Sequence, residues 1–287
     1  TKLFDLVTDR FVTAVKAHKE KRNFMEKLLS LGEDGPLALL TMNRDGMPYL
    51  RINRASHLIG MVGLNEMTQI HTGQEMHESK GALKFGLKVI AHLNLLTDKM
   101  RRQEGMRLVL EQTPAESTSY RFARLDLRYF SPDSGRVVKG DVSSGEVYYT
   151  NSTHFNVKHQ MNPIDRVTNE GLFHPLIEAG SISHIWIGEA QPTQEAIADF
   201  VTKTFKLTTS DQIAFSPEFT TCNKCHRTGR GLTDTCVYCG SPDVDGITRI
   251  TGYFTKVSSW NKGKRGELKD RYRNDGYFSS SQAAVNE

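Results

Sequence analysis

The 287-residue chain has no cysteine before position 222 and none after 239. Four thiols in so long a chain are too few for a disulfide-stapled secreted domain, and no apolar signal segment opens the sequence. No stretch reaches the ~18 to 20 uninterrupted apolar residues that a bilayer span needs. Charge of one sign is scarce too: 37 Lys and Arg against 33 Asp and Glu leave a formal +4, which is too mild to argue by itself for nucleic acid. There is no internal repeat, and the only low-complexity stretch is the Ser-rich end from Ser279. What is present, 38% hydrophobic and 24% charged residues, is the composition of a globular protein with a core to bury.

The thiols are arranged as Cys222-x-x-Cys225 and Cys236-x-x-Cys239, with ten residues between the pairs. Two such knuckles can bring four thiolates tetrahedrally around one zinc, and Gly229, Gly231, Gly240 and Pro242 suit the turns. Disulfides or a redox Cys-x-x-Cys are the alternatives; two motifs so close together favour metal. Thirteen positions after Cys239, Gly252 stands in I-T-R-I-T-G-Y-F. Ile250, Tyr253 and Phe254 around it predict a strand or buried loop, where glycine weakens the structure and needs a reason. One reason is backbone curvature. The other is chemical: a Cα without a side chain can lose a hydrogen atom to give a planar radical that the flanking amide nitrogen and carbonyl delocalise. From Lys256 to Arg273, seven basic residues against Glu267 and Asp270 read as a solvated tail.

Periodicity predicts a first amphipathic helix to about Leu31, with Leu3, Leu6, Val7, Phe11, Val12 and Val15 on one stripe. The pattern is already running at Thr1, with no Met, so a piece of something longer is expected. L-A-L-L-T-M and P-Y-L-R-I flank N-R-D-G-M as a hairpin signature. An apolar run from His57 leads into a helix opening at Asn65 and Glu66, and a second long helix spans Glu78 to about Arg102. A strand at Leu108–Gln112 runs through T113-P-A-E-S-T-S into a helix. His184–Gly188, Thr193–Phe205 and Gln212–Phe215 read as a β-α-β unit with parallel strands. The Ser117, Thr118 and Ser119 hydroxyls at the helix start suit either plain N-capping or an anion cradle. Gly60, Gly63 and Asn65 pose the same choice more weakly. Y-Y-T-N-S-T-H reads as a solvated loop with a structural His154, and His71 and His77 are poorly spaced for a shared metal.

The order C-x-x-C, C-x-x-C, T-R-I-T-G-Y-F, W-N-K-G-K-R-G-E-L-K-D-R resembles the C-terminal part of anaerobic (class III) ribonucleoside-triphosphate reductases, which are glycyl-radical enzymes. The likeness extends through R-I-N-R-A-S-H-L-I-G-M-V-G-L-N-E, Q-T-P-A-E-S-T-S-Y-R-F-A-R-L-D, Y-Y-T-N-S-T-H, G-L-F-H-P-L-I-E-A-G and S-P-E-F-T, nearly the whole chain. It implies an α/β fold, the second half of a ten-stranded barrel of parallel half-barrels. Residues 1–218 would form the partial barrel, 219–245 a zinc ribbon, 246–260 the glycyl radical loop and 261–287 a basic, partly flexible tail. It also implies that Gly252 carries a radical installed by an iron-sulfur, S-adenosylmethionine-dependent activase and destroyed by oxygen. Cys222, Cys225, Cys236 and Cys239 would hold structural zinc beside that loop. Ser117 and Thr118, with Glu116 and Asn151, would contact the ribonucleoside triphosphate.

Further implications are a formate or thioredoxin-like reductant, a homodimer, a cytoplasmic location, and no membrane or direct nucleic-acid partner. Thr251 and Thr255 depart from the smaller residues usual around the radical glycine. The larger departure is the missing finger-loop cysteine, expected in an N-terminal part beyond Thr1 together with the allosteric nucleotide domain. A nonenzymatic zinc-ribbon module and a radical-bearing repair domain are the other readings.

Overall fold

A computed structural model of the chain describes residues 2–44 and 46–280. The Ser-rich end, past its first two residues, and the last part of the expected tail lie outside these residues. In chain order the elements are α1 (Lys2–Leu29), α2 (Ala38–Thr41), β1 (Asn43–Arg44), β2 (Met47–Pro48), β3 (Ser56–Gly60), α3 (Leu64–Thr72), α4 (Lys80–Glu104) and β4 (Arg107–Glu111). There follow α5 (Glu116–Tyr129), β5 (Lys139–Asp141), β6 (Glu146–Tyr148), α6 (Pro163–Gly171), β7 (Ser183–Gly188), α7 (Gln194–Leu207) and β8 (Ile213–Pro217). The chain continues through β9 (Phe219–Cys222), β10 (Thr228–Arg230), β11 (Val244–Arg249), β12 (Phe254–Lys256), α8 (Lys262–Asp270) and α9 (Asp275–Ser280).

Two compact units are present: residues 1–60, 88–111 and 176–179, and residues 61–87, 112–175 and 180–287. In the first, β3 and β4 pair in parallel from Ser56↔Arg107 to Gly60↔Glu111. Phe11, Val15, Val89, Ile90, Met106, Leu108, Val109, Leu110 and Ile177 are buried in it. The hairpin signature yields only the two-residue strands β1 and β2. The expected flanking strand L-A-L-L-T coils instead into α2, in keeping with the helix preference of Ala and Leu.

In the second unit β7 and β8 pair in parallel around α7, as the β-α-β pattern predicts. All six residues of β7 are buried, the mark of a strand covered on both faces. Val167, Ile185, Ile187, Phe200 and Phe278 form one of its apolar clusters. An antiparallel sheet of order β10-β9-β11-β12 follows. The basic run does not behave as a solvated tail over its described length. Its α8 lies against β5, β6 and α5, and a Cβ added at Gly263 would come 2.6 Å from the Val147 carbonyl oxygen. Glycine at that position is what permits so close an approach of helix and strand.

Candidate functional site

Apart from Gly60, which ends β3 in the first unit, the candidate residues lie in the second unit, and β11 relates two of the groups. Its first residue, Val244, pairs with Cys222, and its last, Arg249, pairs with Phe254 across the turn that holds Gly252. Five steps of strand at ~3.3 Å each separate these ends by roughly 17 Å. The cysteine cluster therefore stands at the opposite end of β11 from Gly252, which corrects the expectation that the metal site lies beside the glycine loop.

At the first end the two knuckles share one backbone plan. His226 N–H donates to the Cys222 carbonyl and Gly240 N–H to the Cys236 carbonyl, while Cys222 N–H donates to Arg227 O and Cys236 N–H to Ser241 O. The residue after the second cysteine of each pair is left-handed, His226 at φ 57° and Gly240 at φ 70°. Backbone N–H groups of Lys224 and Cys225 point at Cys222 Sγ, and that of Tyr238 at Cys236 Sγ. The Cys225 N–H bond is the chief reason the Cys222 thiol is held below its ordinary value.

The four cysteines are free, and their sulfurs all lie within 4.8 Å of one another. Cys222 Sγ is 3.7 Å from Cys239 Sγ, and Cys225 Sγ is 3.6 Å from Cys236 Sγ. Four sulfurs at a zinc–sulfur distance of about 2.3 Å would stand about 3.8 Å apart, so this donor set fits a tetrahedral zinc.

At the other end the turn closes through Ile250 N–H to Tyr253 O. Ile250 and Thr251 are buried, but Gly252 is exposed and Tyr253 is 60% exposed, so the expected burial holds for only half of the turn. Gly252 N–H donates to Glu116 Oε1 at 3.3 Å, and Arg249 Nη1 donates to Gly252 O at 2.9 Å. Gly252 is not among the glycines with positive φ. A Cβ built on it would find its nearest neighbours, Glu116 Oε1 and Pro114 Cβ, at 3.8 Å, which is ordinary contact. Neither backbone conformation nor packing accounts for glycine here.

Glu116 opens α5, whose N-cap is Ala115 at φ 25° with no side-chain cap. Plain N-capping by Ser or Thr is thus not what this helix start uses. Ser117 is exposed, Thr118 half-buried and Ser119 buried, all inside the first turns. Asn151 is buried; its Nδ2 donates to Glu267 Oε2 at 3.2 Å, and its Oδ1 has no partner in the structure. Y-Y-T-N-S-T-H is not a solvated loop, because residues 148–154 are all buried. Thr150 donates through N–H and hydroxyl to Glu66 Oε1, and burial raises the Glu66 carboxyl above its usual range.

Other candidates are structural. Asn65 donates to Glu75 Oε2 and accepts from Met76 N–H, pinning the turn before α4. Gly63 is the N-cap of α3. His77 stacks on His159 at 3.9 Å between ring centroids, and burial, then His159, pushes it down to about 4. His154 Nδ1 lies 3.6 Å from Glu170 Oε2. Burial alone would push Glu170 up, but His154 and Arg166 outweigh it and hold the carboxyl at about 2.

Residue-by-residue reading missed the anchoring of the loop by α8. Lys264 and Glu267 are buried side by side in this helix, with Arg271 just past its end, and all three are within 3% of full burial. Their sequence looks like surface charge because the loop groups that Lys264 and Arg271 bind, Thr251 Oγ1, Arg249 O and Ile250 O, lie thirteen to twenty-two positions earlier in the chain.

A mixed α/β chain with a four-thiolate donor set and a glycine turn lacking a steric reason defines a class that the comparisons identify. The family model described as "Anaerobic ribonucleoside-triphosphate reductase" matches residues 1–273, and the chain belongs to that family. Among curated relatives, the anaerobic ribonucleoside-triphosphate reductase of Escherichia coli K12 is 26% identical over 252 residues, 83% of this chain and 33% of that protein. The enzyme of the same name from bacteriophage T4 is 24% identical over 242 residues, 80% of this chain and 36% of that protein. The chain thus spans about a third of the length of these relatives.

Solved structures agree in fold. An anaerobic ribonucleotide reductase superposes with a TM-score of 0.77 at 22% identity, over 95% of this chain and 41% of that one. The Thermotoga maritima enzyme in complex with dATP and CTP superposes with a TM-score of 0.72 at 21% identity, over 92% of this chain and 41% of that one.

Proposed function

We propose that this chain is the C-terminal catalytic portion of a glycyl-radical ribonucleoside-triphosphate reductase, with Gly252 as the radical residue. One observation carries the reading: in a chain of this family, a glycine in T-R-I-T-G-Y-F occupies a turn that has room for a methyl group and no positive φ. A glycine that neither backbone nor packing requires points to chemistry at its Cα.

A radical-SAM activase would take one hydrogen atom from the Gly252 Cα, and the adjoining amide and carbonyl would share the unpaired electron. In the complete enzyme Gly252 would recover a hydrogen atom from a cysteine thiol, leaving a sulfur radical that takes the ribose 3′-hydrogen. The 2′-hydroxyl then leaves as water, and formate or a thioredoxin-like protein supplies the two electrons. That cysteine comes from a segment other than this one, since every thiol here sits in the knuckles; alone, the chain would not turn over.

The N-terminus of α5, with its strained cap at Ala115 that makes no side-chain hydrogen bond, supports a phosphate cradle at Ser117 and Thr118. Asn151, with its free acceptor, would meet the sugar. Cys222, Cys225, Cys236 and Cys239 would hold a zinc ion, which supplies no reaction step and ties β9 to the loop before β11. The parallel pairs β3–β4 and β7–β8 support the half-barrel reading. The zinc-ribbon binding module is weakened, because Lys264 and Arg271 spend their charges inside the protein.

Anaerobic treatment of the complete enzyme with a matched activase, followed by electron paramagnetic resonance, tests the reading. A doublet that Gly252→Ala abolishes is expected. No doublet, or one that survives the substitution, would end it.

A further inference from the structure

The turn that carries Gly252 is held from inside by three buried charges. Lys264 Nζ donates to Thr251 Oγ1 at 2.7 Å and to Glu267 Oε2 at 2.5 Å. The Thr251 hydroxyl in turn donates to Ile250 O at 2.8 Å, so it is a two-way link between ammonium and loop backbone. Arg271 donates to Arg249 O at 2.8 Å, to Ile250 O at 2.6 Å and to Glu267 Oε1 at 2.9 Å. The two tryptophans of the chain, Trp186 and Trp260, each lie 5.4 Å from its guanidinium. Glu267 therefore joins both cations, and Asn151 Nδ2 is its third partner.

We propose that Lys264 is a positioning residue for Gly252, acting through the Thr251 hydroxyl, while Arg271 holds the two preceding carbonyls. A buried ammonium must keep its hydrogen-bond partners. Thr251 supplies one next door to the glycine, and a cysteine or alanine there would leave Lys264 one acceptor short. The larger residue before the glycine is thus matched to the lysine twelve positions after it. The lock passes through Glu267 to Asn151, so the same buried carboxylate touches the candidate sugar-contact residue and the ammonium that fixes the turn. The functional meaning rests on reading Gly252 as the radical residue; the positioning claim does not.

Amide hydrogen–deuterium exchange on the full chain tests the positioning. Thr251→Val keeps the shape and removes the hydroxyl, and Thr251→Ser keeps the hydroxyl. Thr251→Val is expected to speed exchange of the amides from 250 to 253 about tenfold, the loss of one charge-assisted bond. Thr251→Ser should stay within about twofold, and the amides of 222–240 should not change. Lys264→Met should reproduce the Thr251→Val pattern; if that variant fails to fold, the Thr251 pair still decides.

Equal exchange in Thr251→Val and the parent chain, or equal acceleration in the valine and serine variants, would overturn the proposal. In the activase-treated complete enzyme, Thr251→Val should lower the doublet yield and Thr251→Ser restore it. A parent enzyme without any doublet removes the radical reading and leaves the exchange result standing.

Discussion

At the Val244 end of β11, order comes from four thiols and the left-handed residue that follows each knuckle, all within nineteen positions of sequence. At the Arg249 end it comes from side chains on a helix that returns to the loop from later in the chain. The cysteine end is local and reads directly from spacing. The glycine end is non-local, and its charges are invisible as core until the partners are known. The comparison separates two tasks that look like one in sequence: the knuckles tie the base of the sheet, and α8 holds the turn.

Removing one thiolate should give the largest effect. Cys222→Ser is expected to lose tetrahedral metal binding, seen as well under one equivalent of zinc in anaerobically prepared protein, and to lower the melting transition most at the 222–240 end. Exchange at 250–253 should rise less than it does on cutting the α8 lock. A larger rise there than at the knuckles would merge the two ends. Next comes Glu267→Gln, which leaves two cations buried without their counter-ion and should cost about 3–5 kcal/mol in denaturant unfolding. A loss near zero would mean the lock carries no weight.

Gly263→Ala should cost about 1–3 kcal/mol, because its methyl group would press on the Val147 carbonyl oxygen. Gly252→Ala should change stability by less than about 1 kcal/mol, since its methyl group meets nothing closer than 3.8 Å. The contrast sharpens the case that one glycine serves packing and the other chemistry.

Acid should act more gently. Burial pushes His174 down to about 4, and its Nδ1 accepts from Asp211 N–H, which fits a neutral ring. An unfolded chain takes up a proton below pH about 6.5 that the folded chain refuses until about 4. Stability therefore falls as pH drops through that window, by under about 1 kcal/mol for this one group between pH 7 and 6. His174→Gln, which keeps an acceptor and cannot titrate, should flatten the slope of unfolding free energy against pH.

Much of the fold was legible where pattern and position coincide. The apolar run His184–Gly188, the helical stretch Thr193–Phe205 and the following strand give β7, α7 and β8 because each runs as one unbroken pattern. The knuckles were legible because metal geometry fixes thiol spacing. Other features depend on partners far along the chain. The loop of residues 148–154 is polar yet buried, since Glu66 and Glu267 supply its hydrogen bonds. Lys264 and Arg271 lie in a run that looks solvated. Ala115 caps α5 without any side-chain hydrogen bond, so the hydroxyls after it give no hint of the strained backbone.

The central claim is that Gly252 is glycine for chemical reasons. Electron paramagnetic resonance on the activase-treated complete enzyme tests it, using glycine labelled at Cα with deuterium. The account predicts a doublet that collapses to a single line on labelling and is absent in a folded Gly252→Ala variant. A signal unchanged by either would contradict it.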